Sequence, residues 1–145
     1  MTRRLLIMLL LAICPLMLMA QERIYIQTDR NTYVPNDTIW FRAHLVDAAT
    51  NLPSTSKHYP KNRSRYVYVE LYDVKADTLV ERTMIRRNDD GVFANAMPLK
   101  KTLHEGLYML VAYTRYMLNF PETMFAYKEI EIVKVNKNTG NQLAK

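Results

Sequence analysis

The feature that most constrains this chain is the period-two alternation of apolar residues running from Arg23 to Val133. Successive side chains of an extended strand point to opposite faces, so such alternation turns one face to a core and the other to solvent. Residues 23–28 set Ile24, Ile26 and Thr28 on one face, and Thr38–Asp47 sets Ile39, Phe41, Ala43 and Leu45 against Trp40, Arg42 and His44. Residues 65–74 group Val67, Val69 and Leu71 opposite Tyr66, Tyr68, Glu70 and Tyr72. Alternation is weaker over 78–87. The stretch 91–98 follows the turn Asn88-Asp89-Asp90-Gly91, and 107–117 and 123–133 complete a set of seven strands. Helical periodicity has no long foothold: its best stretch, 107–118, is rich in Tyr and Val and follows Gly106, which favours a strand. Seven strands with Pro, Asn, Asp and Gly between them predict an all-β, antiparallel, immunoglobulin-like sandwich.

Residues 1–20 obey different rules. Sixteen of the twenty are apolar, none is acidic, and Arg3 and Arg4 precede the apolar run at 5–13. Pro15 breaks that run, so it is short for a spanning helix, and Ala20 offers a small residue at a cleavage position before Gln21. The segment therefore reads as an export signal, with no membrane span expected after its removal. Cys14 is the chain's only cysteine, and Ile13 before it lacks the small side chain that a lipoprotein signal would place there. Cleavage after Ala20 would leave no thiol, so neither a disulfide nor a cysteine nucleophile is expected in the remainder. Loss of Arg3 and Arg4 takes the net charge from +6 to +4. The expected domains are a signal at 1–20, a sandwich at 21–133 and a linker or frayed tail at 134–145. One long polar excursion, 48–64, holds all three serines of the chain together with Pro53, Lys57, His58, Pro60, Lys61 and Arg63.

The stretch from Tyr25 to Ile39 has its own physical logic. A strand ends at Thr28-Asp29, Asp29 is placed to cap the turn, Tyr33 packs back, and Pro35-Asn36-Asp37 starts the next strand. It resembles the N-terminal motif of the second macroglobulin-type domain of the alpha-2-macroglobulin family, with Arg30, Asn31 and Asn36 standing where the family has lysine, proline and glycine. Gly91-Val92-Phe93 is similar to that family's Asp-Gly-x-Phe turn, and Leu103–Thr114 to its Gly-x-Tyr strand, here Gly106-Leu107-Tyr108. More narrowly, Asp37–Ala43 and Tyr113–Phe120 resemble macroglobulin-type domains near the N-terminus of large envelope proteins of Bacteroidetes, some of which carry TonB-receptor-like modules. The resemblance implies a macroglobulin-type sandwich with Thr28, Asp29, Tyr33, Pro35, Asp37, Gly91, Phe93, Gly106 and Tyr108 as its structural motif. It also implies a non-catalytic role in the periplasm or at the cell surface, in domain spacing or docking. The expected partners are neighbouring macroglobulin-type or receptor-plug-like domains or proteins. A chain of this length would be one module of such a protein, a piece of a longer chain or a free-standing satellite.

Catalytic chemistry finds little purchase. Ser54, Ser56 and Ser64 all lie in the long loop without a glycine-bearing nucleophile elbow, and His58 has no supporting oxyanion site. His44, His58 and His104 stand apart, with no spacing that pairs them as metal ligands, and Asp89-Asp90 is a turn signature before it is a calcium site. Only three glycines occur, and none builds a phosphate loop. No enzyme and no cofactor are expected. The thioester of reactive macroglobulins needs a cysteine and a further domain. A pI near 9.5 permits anionic partners, and Arg82, Arg86 and Arg87 together with Lys100 and Lys101 form a possible basic alignment, but nucleic acid is not expected for an exported chain. Alternation turns Trp40 away from the core, on the face of Arg42 and His44. With Lys57, His58 and Lys61 of the long loop, these residues are the expected partner surface. Two other classes stay open: a component of an endopeptidase inhibitor, which implies protease partners, and an adhesion or polysaccharide-binding module, which implies surface glycans.

Overall fold

The computed structural model describes residues 22–134 of the 145-residue chain, so the leader at 1–20 and the tail beyond Lys134 lie outside the described residues. The described residues form eight strands: β1 (Glu22–Thr28), β2 (Thr32–Tyr33), β3 (Thr38–Asp47), β4 (Tyr66–Asp73), β5 (Thr78–Arg86), β6 (Phe93–Pro98), β7 (Gly106–Tyr113) and β8 (Ala126–Ile132). They assemble into a three-stranded sheet, β1-β3-β6, and a five-stranded sheet, β2-β8-β7-β4-β5. The inner faces meet over a core in which Ile39, Phe41 and Leu45 of β3 oppose Val67, Val69 and Leu71 of β4, Leu110 of β7 and Ile130 of β8. Register follows the alternation, since Ile24 pairs with Leu45 and Ile26 with Ala43, all facing inward. The result is a two-sheet β-sandwich. Among the described residues no helix is long and apolar enough to cross a membrane.

Four details depart from the sequence expectation. The short β2 is an eighth strand, and it runs parallel to β8 (Thr32 against Glu131, Tyr33 against Ile132); two residues are too few for any period to reveal. The strand expected over 107–117 ends at Tyr113, because Thr114 folds the chain into a 3-10 turn at Tyr116–Asn119, with Met117 N–H donating to Thr114 O at 3.0 Å. A second 3-10 turn, Glu122–Met124, follows Pro121 and delays the last strand to Ala126. The strand expected from Gly91 begins at Phe93, since Val92 N–H is taken by the Asn88 side-chain oxygen at 2.7 Å.

The outer face of the larger sheet is also drier than strict alternation implies. Glu70, Val111 and Tyr113 all point outward yet are buried. Phe125, delivered by the two 3-10 turns, stacks on Tyr113 at 4.9 Å between ring centroids, and Tyr113 stacks on Tyr68 at 5.5 Å. Beneath them Glu70 accepts hydrogen bonds from Tyr72 and Tyr113 at 2.7 Å each and pairs with Arg82. Burial opposes ionisation of Glu70, but these three donors outweigh it and hold the carboxyl below its usual range.

Candidate functional site

The N-terminal motif forms a compact turn between β1 and β3. Tyr33 is almost wholly buried, and its hydroxyl donates to Asp29 Oδ1 at 2.7 Å and accepts from Arg30 N–H at 3.1 Å. The same Asp29 oxygen accepts Trp40 N–H at 3.0 Å, so one carboxylate ties the turn to both strands. Burial works against ionisation of Asp29, but hydrogen bonds from Tyr33, Arg30 and Trp40 N–H hold its carboxyl below the usual range. Burial, reinforced by Asp29, pushes Tyr33 up to about 12. Arg30 bridges Asp29 and Asp37 at 3.1 and 3.2 Å, and Thr28 Oγ1 donates to Arg30 O. Asn36 adopts φ +73, left-handed backbone directly after Pro35, which places glycine or asparagine at the third position of a type II turn. At the far corner Gly106 opens β7 and Tyr108 packs inward with no exposure, its hydroxyl donating to His104 O at 3.0 Å. These residues form scaffold geometry.

The long loop at 48–64 is folded tightly back on the sandwich. Asp47 accepts from Thr50 N–H and Oγ1 at 2.8 and 2.6 Å and pairs with Arg63; burial opposes its ionisation, but these partners hold it below the usual range. Ser64 donates its N–H and its hydroxyl to the buried Glu22 carboxyl at 2.7 and 2.8 Å, and Thr114 adds a third bond at 2.8 Å. Ser54 N–H reaches Leu45 O at 2.8 Å, and Ser54 Oγ donates to Gly91 O at 2.6 Å. Gly91 has φ +80, and a Cβ there would lie 2.0 Å from Ser54 O, so only glycine allows this approach. Ser54 and Ser64 thus anchor the loop, while Ser56 Oγ accepts His58 N–H at 3.2 Å within it. Among the described residues no group of three or more His, Cys, Asp and Glu gathers as a metal site.

The six expected surface residues fall into two groups. Trp40 is 62% exposed on the outer face of the smaller sheet, with Arg42 two residues along and Tyr25, 57% exposed, opposite His44 in the β1–β3 register. Across β6 Trp40 pairs with Ala96 and Arg42 with Ala94, so the indole stands beside small residues. A shallow depression runs from Thr28 and Asp29 past Trp40 and Arg42 to Ala94 and Ala96. Tyr25 was legible as the outward neighbour of Ile24 and Ile26; the alanines gained meaning only from the pairing of β3 with β6.

Lys57 and Lys61 lie elsewhere, in a cleft of about 550 Å³ between the long loop and the β5–β6 turn. His58 is exposed and is not part of its lining. The cleft gathers Arg65, Arg86 and Arg87 as well. The basic alignment expected from sequence does not form: Arg82 pairs with Glu70 and Lys100 with Glu81, both away from the cleft, while Arg86 and Arg87 join the loop lysines instead. The Arg86-Arg87 doublet was the available signal, and only the folded loop showed what it meets. Tyr59 closes the cleft floor. Its ring is buried and lies 5.4 Å under the Arg87 guanidinium, burial pushes its hydroxyl pKa up, and that hydroxyl has no hydrogen-bond partner among the described residues.

The family model described as MG2 domain matches residues 23–124. No curated protein sequence matches the chain. The chain is similar to the crystal structure of Salmonella alpha-2-macroglobulin reacted with methylamine, at 15% identity and a TM-score of 0.59, over 81% of this chain and 6% of that one. It is similar to trypsin-activated alpha-2-macroglobulin from Escherichia coli at 12% identity and a TM-score of 0.57, over 77% of this chain and 7% of that one. The native E. coli protein gives 12% identity and a TM-score of 0.58, over 79% of this chain and 6% of that one. At such identities the likeness is one of fold, and this chain spans 6–7% of the length of these proteins.

Proposed function

The chain belongs to the MG2 domain family, and from that premise we propose that it is an exported, non-catalytic module of a macroglobulin-like assembly in the cell envelope. Its work is to dock a neighbouring macroglobulin-type domain or protein through the outer face of the three-stranded sheet. The observation that carries this reading is Trp40, 62% exposed on the outer face of a strand whose other face packs into the core. Burying an exposed aromatic side chain of this kind at a contact contributes about 2–3 kcal/mol. Aromatic anchors with a neighbouring arginine, here Arg42, are the residue types that dominate interface energy. The leader at 1–20 supports export, and β1 begins at Glu22, directly after the proposed cleavage site and Gln21. Ser54, Ser64 and the buried Glu22 are engaged in holding the loop, which supports a non-catalytic role.

A photo-crosslinking amino acid at position 40, expressed in the intact full-length protein in its own cell envelope, tests the docking face. The expected result is one discrete adduct, with no adduct of that size from the same probe at Met84, an exposed residue of the other sheet. Equal labelling at both positions, or none at position 40, would remove the docking reading. A glycan-binding role draws on a separate observation, the basic cleft.

A further inference from the structure

We propose that the cleft between the long loop and the β5–β6 turn is an anion site that takes phosphate or sulfate groups, with Lys57, Lys61, Arg65, Arg86 and Arg87 as their ligands. Five cations from three separate segments line one cleft, and only Asp89 and Asp90 oppose them. Among the described residues Lys57, Lys61, Arg65 and Arg86 make no ion pair and no side-chain hydrogen bond, and neither aspartate pairs with them. Five cations against two aspartates leave the cleft with excess positive charge, and an oxyanion entering it offsets that repulsion while forming charge-assisted bonds.

The cleft is built before any ligand arrives. Its loop wall is fastened by Ser54 to Leu45 and Gly91, and Tyr59 N–H donates to Ser56 O at 3.1 Å. The opposite wall is the end of the β4–β5 ladder, where Tyr66 pairs with Arg86 and Arg87 N–H donates to Arg65 O at 2.9 Å. Arg87 is oriented by the Tyr59 ring beneath it. Ser56 Oγ accepts from His58 N–H, which leaves its own proton free to donate to a ligand oxygen. Arginine forks match tetrahedral oxyanions through paired N–H donors, so phosphate and sulfate suit this lining better than an isolated carboxylate. Preorganised donors bind with less lost entropy than a mobile loop would.

The test is titration of the isotope-labelled protein with inorganic pyrophosphate and, separately, with a heparin hexasaccharide, read as amide shifts. Expected are saturable shifts confined to residues 54–61, 65 and 86–91 with at least one of the two probes. Pyrophosphate alone would assign a small phosphate ligand, and the hexasaccharide alone a glycan-borne ester; both support the anion site. Arg86 is exposed and unpaired, so Arg86→Glu leaves the fold intact, and with Lys61→Glu it should weaken binding at least tenfold. Lys101→Glu makes the same charge change per residue away from the cleft lining and should weaken binding less than twofold. Absence of saturable shifts with both probes, or equal loss in the Lys101 variant, overturns the proposal. Neither result bears on crosslinking at position 40, so the two readings fail separately.

Discussion

Replacing Gly91 with alanine probes whether the long loop is truly fastened to the sandwich. Two costs add at this position. At φ +80 an L side chain is strained by about 1–2 kcal/mol. The new Cβ would also sit 2.0 Å from Ser54 O and 2.8 Å from Thr55 Cα, which are backbone atoms with no rotamer to yield. Ser54 must therefore retreat, stretching its bonds to Gly91 O at 2.6 Å and to Leu45 O at 2.8 Å. Each such bond contributes about 1 kcal/mol net. The total is about 3–4 kcal/mol, a large part of the roughly 5–15 kcal/mol that holds a domain of this size. In thermal unfolding this corresponds to a Tm lower by about 12–16 °C. Gly106 supplies the internal control: its φ is +151, but nothing lies within 4 Å of a Cβ there. Gly106→Ala should therefore cost only the backbone strain, about 1–2 kcal/mol. Urea unfolding of both variants decides the matter. If they lose the same stability to within about 0.5 kcal/mol, the packing of Ser54 against Gly91 contributes nothing and the loop is not fastened as described.

Other outcomes follow from the same geometry. Phe41→Ala, which empties a core site, should cost about 3–5 kcal/mol, whereas Trp40→Ala should stay within about 1 kcal/mol, as read from urea midpoints. Tyr108→Phe removes the bond to His104 O and should cost about 1 kcal/mol; no change would mean that the corner is held by packing alone. Asp29, Asp47 and Glu70 have folded pKa values held below their ordinary ones, so their contribution is full above the unfolded range and is lost as pH falls through the folded values. Unfolding midpoints should therefore drop below about pH 4, and mutating Arg63 and Arg82 to Met should flatten that drop. Tyr33 and Tyr113 are pushed up to about 12, so their contribution is full below pH 10 and is lost as pH rises towards 12. Absorbance at 295 nm should show these two, together with the buried Tyr59, ionising late, and a single class of tyrosines would contradict it.

Much of the sandwich was legible from residue order. Ile39, Phe41, Ala43 and Leu45 face the core as their period requires, since a strand leaves no other choice once one face is apolar. The turn residues were equally readable, because Asn36 and Gly91 occupy backbone that few residues tolerate. What failed to show was everything set by contacts between distant segments. Glu70 alternates outward and reads as solvent-facing, yet Phe125 and Tyr113 close over it from 43 and more residues away. The end of β7 was misplaced because Thr114 is a good strand former whose hydroxyl and carbonyl hold a turn instead.

The candidate surfaces divide along the same line. The exposure of Trp40 was implied by local alternation, which depends only on neighbours in the chain. The long loop looked like a free polar excursion, because composition carries no information on where a segment docks. Its anchors are Glu22 to Ser64, 42 residues apart, Glu22 to Thr114, 92 apart, and Ser54 to Gly91, 37 apart. By itself, then, the sequence determined the seven longer strands apart from some of their ends, the apolar faces and the family motif, all of which arise from periods and turns a few residues long. The tertiary structure alone decided that Lys57 and Lys61 meet Arg65, Arg86 and Arg87 around one cleft. That juxtaposition rests on long-range hydrogen bonds between buried polar groups, and no local pattern encodes which partner such a group will find.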